Sequence, residues 1–115
     1  MRAKRRFKKA GIGDVIGSSF AGYLEASWED LVTEFGEPRW RNKEGPWRSS
    51  DQKVRCEWAF VIGSGKRRLV FTIYDYKEKR PIEEVSLWHI GAKGDTQRLD
   101  MLFAGRGGYS GSGML

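Results

Sequence analysis

Few side chains in this sequence are equipped for covalent or acid–base chemistry. His89 is the only histidine and Cys56 the only cysteine. His89 lies in "EEVSLWHIG", which reads as a strand with Val85, Leu87 and His89 on one face and Ser86, Trp88 and Ile90 on the other. A histidine in line with two aliphatic residues is expected to be a partly buried, hydrogen-bonded sheet residue. Nucleophilic catalysis would need an activated Ser or Cys beside it and an orienting acid. Cys56 shares its row with Val54 and Trp58, apolar company that raises a thiol's pKa and blunts it. Asp75, between Tyr74 and Tyr76 in "IYDYK", is the acid expected to pair with Lys77 or His89. Asp75 and His89 are therefore read as a structural polar pair. Glu29–Asp30 and Glu83–Glu84 are adjacent in sequence, unlike the opposed acids of a glycoside hydrolase. One His and one Cys supply neither an HExxH motif nor a cysteine-built zinc site. No catalytic residue, metal ligand or cofactor is assigned, and the chain is expected not to be an enzyme.

"IGSGKRR", residues 62–68, resembles the end of a phosphate-binding loop. The pattern fails at two places. Phe60 stands where the first glycine belongs, and Arg67 stands where a magnesium-binding Ser or Thr would follow the lysine. A hairpin turn with a solvated Lys66-Arg67-Arg68 edge is the simpler reading, and that edge can touch phosphates or discourage edge-to-edge pairing.

The net charge of +6 suggests an acidic partner. Arg2, Lys4, Arg5, Arg6, Lys8 and Lys9 account for all of it, since the rest holds 15 Lys or Arg against 15 Asp or Glu. These six, with Lys66, Arg67 and Arg68, are the candidate nucleic-acid contacts, and an arm of this kind gives steeply salt-dependent binding. Trp40, Arg41, Trp47 and Arg48 place cations beside aromatic rings in one loop, a mixture suited to stacking on bases or to partner binding. No segment reads as a recognition helix rich in Arg, Asn and Gln.

These residues are positioned by elements that the pattern partly reveals. Apolar residues make up 39% of the 115, with five tryptophans, enough for one modest core. No apolar run approaches the roughly 20 residues that span a bilayer. No apolar stretch of roughly 7–15 residues follows the basic start, so no secretory signal is read. No membrane is expected as a partner, and the expected location is cytoplasmic.

In "EASWEDLVTEFGEP", Ser27 caps a helix over 27–35. Trp28, Leu31, Val32 and Phe35 share one face, and Gly36 and Pro38 end it. "KVRCEWAFVI" alternates as a half-buried strand, "GSGK" signals a hairpin, "RRLVFTIYDY" is a second strand and "EEVSLWHIG" a third. Strands are thus expected near 53–62, 68–76 and 84–90. Asp95 opens a short C-terminal helix with Leu99, Leu102 and Phe103 in phase. The expected fold class is α+β: a three-stranded, or slightly larger, antiparallel meander on one main helix with a short C-terminal helix. Residues 1–19 are expected to be a flexible basic arm, 20–104 a single domain and 105–115 a flexible glycine-rich tail.

Four stretches in this order, "FAGYLEASWEDLVTEFGEP", "KVRCEWAF", "TIYDYK" and "SLWHIG", resemble small uncharacterised proteins encoded by bacteriophages and prophages. The resemblance covers roughly residues 20–92. It departs at Ala92, where that family usually has a second glycine. The basic arm and the glycine-rich tail lie outside it. The resemblance implies no catalytic residues. It implies a non-enzymatic accessory protein that binds and inhibits a host or defence-system protein or nucleoprotein in the host cytoplasm, as anti-CRISPR proteins do. The alternative is a nucleic-acid-binding module using the basic arm and the Trp/Arg loop, with RNA or DNA phosphates as partner.

Overall fold

A computed structural model describes residues 7–41, 54–103 and 107–111, and of Trp40 and Arg41 the backbone alone. In chain order the elements are strand β1 (Lys8–Lys9), helix α1 (Ile12–Val15), strand β2 (Ser19–Glu25), helix α2 (Trp28–Phe35) and strand β3 (Trp40–Arg41). There follow β4 (Cys56–Ile62), β5 (Leu69–Tyr74), β6 (Leu87–Gly94), helix α3 (Gln97–Phe103) and β7 (Tyr109–Gly111). Single 3₁₀ turns lie at Gly65–Arg67 and Ile82–Glu84.

The strands form one antiparallel sheet in the order β1-β4-β5-β6-β2-β7, with β3 also on β4. Because β5 occupies the other edge of β4, β1 and β3 share one edge, β1 opposite Val61 and Phe60, β3 opposite Glu57 and Cys56. The expected three-strand meander, β4-β5-β6, lies at the centre of a sheet twice as wide, and three helices accompany it rather than two. Parts of the expected arm and tail form regular elements: strand β1 and helix α1 lie within residues 8–15, and strand β7 spans 109–111.

The physical reason for the difference lies mainly in β2. Its sequence, "SFAGYLE", breaks the two-residue alternation with a bulge between Phe20 and Gly22. The bulge puts Phe20 and Tyr23, three residues apart, on the same face of the sheet, with ring centroids 5.1 Å apart. Gly22 admits β7, because a Cβ there would stand 2.4 Å from the carbonyl oxygen of Ser110.

One face of the sheet carries the main core. Cys56, Trp58 and Phe60 of β4, Leu69, Phe71 and Ile73 of β5, and Trp88, Ile90 and Ala92 of β6 meet Leu31 and Phe35 of α2 and Leu99 and Phe103 of α3. Each large apolar side chain buried this way contributes about 1.5–3 kcal/mol. The Ser27 hydroxyl accepts from the N–H of Asp30 at 3.0 Å, as its cap position requires. Gly36 turns the chain out of the helix at φ 84°. Two buried indoles fasten α2 at its ends: Trp88 Nε1 donates to the Ala26 carbonyl at 2.9 Å and Trp58 Nε1 to the Gly36 carbonyl at 2.7 Å.

The other face is divided. Over β4 and β5, Ala59, Val61 and Val70 are covered by Ala10 and by Val15 of α1. Arg68 holds α1 through Asp14 at 2.6 Å, and the Lys93 ammonium donates to the Ile16 carbonyl. Further along the same face lies an aromatic surface.

Candidate functional site: an aromatic pocket around His89

Strand register builds this surface. Tyr23 of β2 and Tyr74 of β5 both lie directly opposite His89 of β6, so three ring-bearing side chains form one row across three strands. The bulge adds Phe20, and the chain leaving β5 adds Tyr76. Ring centroids stand 5.0 Å from the imidazole at Tyr23, 5.1 Å at Tyr76, 5.6 Å at Tyr74 and 5.8 Å at Phe20. Together the five line a pocket of about 330 Å³. Phe20 is 42% exposed and Tyr76 36%, so the rings offer π-surface to solvent. Gly91, next on the same face of β6, keeps the surface low beside them: a Cβ there would meet Thr72 Oγ1 at 2.7 Å.

His89 is half-buried, and its Nδ1 is sealed from solvent with no hydrogen-bond partner. Burial lowers its pKa below the usual 6.5, opposed by the negative charge of Asp75. The imidazole is therefore neutral at pH 7, one more flat ring in an aromatic cluster.

Asp75 does not hydrogen-bond to His89 Nδ1. It is fully buried, and its carboxylate accepts from the backbone N–H of Arg55 at 2.8 Å, from that of Cys56 at 3.0 Å, and from Arg55 Nε at 3.0 Å. Asp75 thus acts on His89 through its charge and not through a hydrogen bond to Nδ1, while its carboxylate is clamped by the start of β4. Val85 also departs from the expected row: it is buried in the core before β6 begins, while Leu87 and His89 lie on the face opposite Trp88 and Ile90.

The other expected contacts distribute as follows. Lys8 and Lys9 lie exposed in β1. Lys66 and Arg67 lie in the 3₁₀ turn, where Arg67 bonds Asp95 at 3.3 Å, while Arg68 is engaged by Asp14. The Asp14 carboxyl is held below its usual pKa, first by the Gly11 N–H and then by the charges of Arg68 and Lys8. Trp40 and Arg41 contribute backbone to β3. Arg2, Lys4, Arg5, Arg6, Trp47 and Arg48 lie outside the described residues.

The sequence pattern missed the ring cluster itself and the cation next to it, Lys77. Lys77, Lys79 and Arg80 are exposed in the chain leaving β5, with Lys77 Nζ 5.5 Å from the Tyr76 ring centroid. Among the described residues no three His, Cys, Asp or Glu side chains gather as a metal site. No helix among them is long and apolar enough to cross a membrane. What the pocket offers chemically is stacking and cation–π contact.

Comparison with protein-family models, with curated proteins and with solved structures yields no match for this chain.

Proposed function

We propose that this protein is a nucleic-acid-binding module that takes unpaired bases on the aromatic pocket around His89. The observation that carries the reading is the single row Tyr23, His89 and Tyr74 across three strands, widened by Phe20 and Tyr76. Flat rings on an open sheet face stack on bases of any sequence, provided those bases are not already paired. Lys77, beside the Tyr76 ring, supplies a cation for a phosphate, and the basic residues at positions 2–9 add sequence-independent attraction.

A second reading is a phage-type inhibitor of a host or defence nucleoprotein. One observation favours it: the stretches that carry the resemblance to phage proteins also carry all five pocket residues. Phe20 and Tyr23 lie in "FAGYLE", Tyr74 and Tyr76 in "TIYDYK", and His89 in "SLWHIG". The two readings meet if the target is a protein bound to RNA or DNA.

The test is fluorescence anisotropy with labelled single-stranded RNA, single-stranded DNA and duplex DNA over a salt series. Intact protein runs beside a Tyr74→Ala/Tyr76→Ala variant. Preference for the single strands, weakened in the variant, supports base binding at the pocket. Equal binding by both proteins removes it. Absence of binding to all three directs the search to a protein partner.

A further inference from the structure

The opposite, helical face carries a second concavity. Phe7, Ile62, Arg67, Arg98, Met101 and Leu102 line a pocket of about 330 Å³, at the small end of the range for ligand sites. Its floor is apolar and rigid: the Phe7 ring packs against Phe35, Phe60 and Phe71 at 6.2, 5.5 and 5.7 Å. Arg98, Met101 and Leu102 stand at i, i+3 and i+4 on α3, so they share one side of that helix. Met101 is 71% exposed, which an apolar side chain beside an apolar concavity leaves uncompensated.

The rim is cationic. Arg98 Nη1 donates to the Arg67 carbonyl at 2.9 Å and lies where a Cβ on Gly63 would be, so its guanidinium is fixed. Its partner there is a neutral carbonyl, and among the described residues no carboxylate pairs with it. The neighbouring Arg67 has Asp95 at 3.3 Å but remains 69% exposed. Two guanidinium groups therefore stand at the edge of an apolar hollow, and only that of Arg67 is paired with a carboxylate.

We propose that this pocket binds a single anionic amphiphile, its hydrocarbon chain on Phe7, Ile62, Met101 and Leu102 and its carboxylate or phosphate head on Arg67 and Arg98. An apolar wall with a few placed charges is the common build of small-ligand sites, and the fixed fork of arginine suits acid groups. The site is on the other face of the sheet from the aromatic pocket, so it stands or falls independently of base binding.

The test titrates the full chain with decanoate at pH 8, below its micelle-forming concentration, while following the Met101 methyl resonance by NMR and the heat by calorimetry. Decanol lacks the head charge and acetate lacks the chain. The expected result is saturable, one-to-one decanoate binding, with decanol and acetate each at least about tenfold weaker. Arg98→Gln and Met101→Glu are each expected to weaken decanoate by about tenfold or more, with the near-UV circular dichroism of the tryptophans unchanged. Met101→Glu guards against loss of fold, because the side chain it replaces is largely in solvent. Equal affinity for decanoate and decanol overturns the proposal, as does decanoate binding unaffected by Met101→Glu. Attachment to anionic lipid vesicles with no response to monomeric decanoate also overturns it, because a charged surface then suffices.

Discussion

Arg55 donates to Asp75 twice, through its backbone N–H to Oδ1 at 2.8 Å and through Nε to Oδ2 at 3.0 Å. The guanidinium continues to the Arg80 carbonyl at 2.5 Å, so one buried arginine joins the start of β4 to the chain before β6. Asp75 is completely buried and the Arg55 side chain is 8% exposed. This clamp closes the β4-β5 ladder just past its last pair, Glu57 opposite Tyr74.

Removing the acid leaves a buried cation and two backbone N–H groups without their acceptor. Asp75→Ala is expected to cost about 3–5 kcal/mol, measured by urea denaturation. Replacing both partners, Arg55→Leu with Asp75→Leu, is expected to recover only part of this loss. The N–H groups of Arg55 and Cys56 still lose their acceptor, and each such loss costs about 1–3 kcal/mol. Full recovery by the double variant would show that the side-chain charge pair alone accounts for the effect.

His89 gives stability a pH dependence of definite sign. Burial lowers its folded pKa below the usual 6.5, so the unfolded chain binds more protons between those two values. Its contribution is complete above about pH 6.5 and is lost as pH falls through the window below it. Melting temperatures measured between pH 7.5 and pH 5 are expected to fall less steeply for His89→Phe than for the parent chain. An identical slope in the two proteins would contradict the burial of this ring.

Base binding carries its own magnitudes. Each aromatic ring that stacks on a base is worth about 1–3 kcal/mol, so Tyr74→Ala or Tyr76→Ala is expected to weaken single-stranded binding by roughly 5–150-fold. Lys77→Ala is expected to lower the slope of log affinity against log salt by about one phosphate contact, with little change in sequence preference. Anisotropy across the salt series reads both effects.

The two indole bonds at the ends of α2 predict a local loss. Trp88→Phe keeps a ring in the core but leaves the Ala26 carbonyl without its donor. A cost of about 1–3 kcal/mol is expected. Hydrogen exchange should rise first at the N-terminal turn of α2 in this variant. In Trp58→Phe it should rise first near Gly36.

At the far edge, Tyr109 donates to Asp100 at 2.6 Å, and burial, followed by this bond and the Asp100 charge, raises the phenol's pKa well above its usual 10. The bond ties β7 to α3, and the Tyr109 ring stacks on Phe103 at 5.1 Å. Tyr109→Phe is expected to cost about 1 kcal/mol, the hydrogen bond alone, because the stacking survives. Exchange at the β2–β7 pairs should be the readout. Gly22→Ala is expected to remove β7 from the sheet altogether, since its Cβ cannot pass the Ser110 carbonyl.

How legible all this was in the sequence depended on period. Helix α2 announced itself because Ser27, the phase of Trp28, Leu31, Val32 and Phe35, and Gly36 before Pro38 all agree. The meander β4-β5-β6 announced itself through the alternation that leads into β4 from Lys53 to Trp58 and through the apolar run of β5, whose far face is covered by α1. β2 did not, because its bulge and Gly22 erase the alternation that marks a strand. Strands of two or three residues such as β1 and β7 are too short to have a period at all. His89 was conspicuous as the only histidine, but its neighbours come from positions 20, 23, 74 and 76. No local spacing joins those numbers; register across three strands does. Tyr74 and Tyr76 drew attention only for the acid between them, and that acid faces Arg55.

The insertion of β2 between β6 and β7 has a consequence for how the chain acquires its shape. Tyr23 pairs on one side with His89 and on the other with Ser110, so well over half of the sequence separates the strand from its partners. The neighbours β4, β5 and β6 close through short connections and can nucleate early, whereas β2 must wait for the last elements to emerge. High contact order of this kind is expected to make docking of the first long strand the slow event in folding. The aromatic row, which needs β2, is then expected among the last features to assemble.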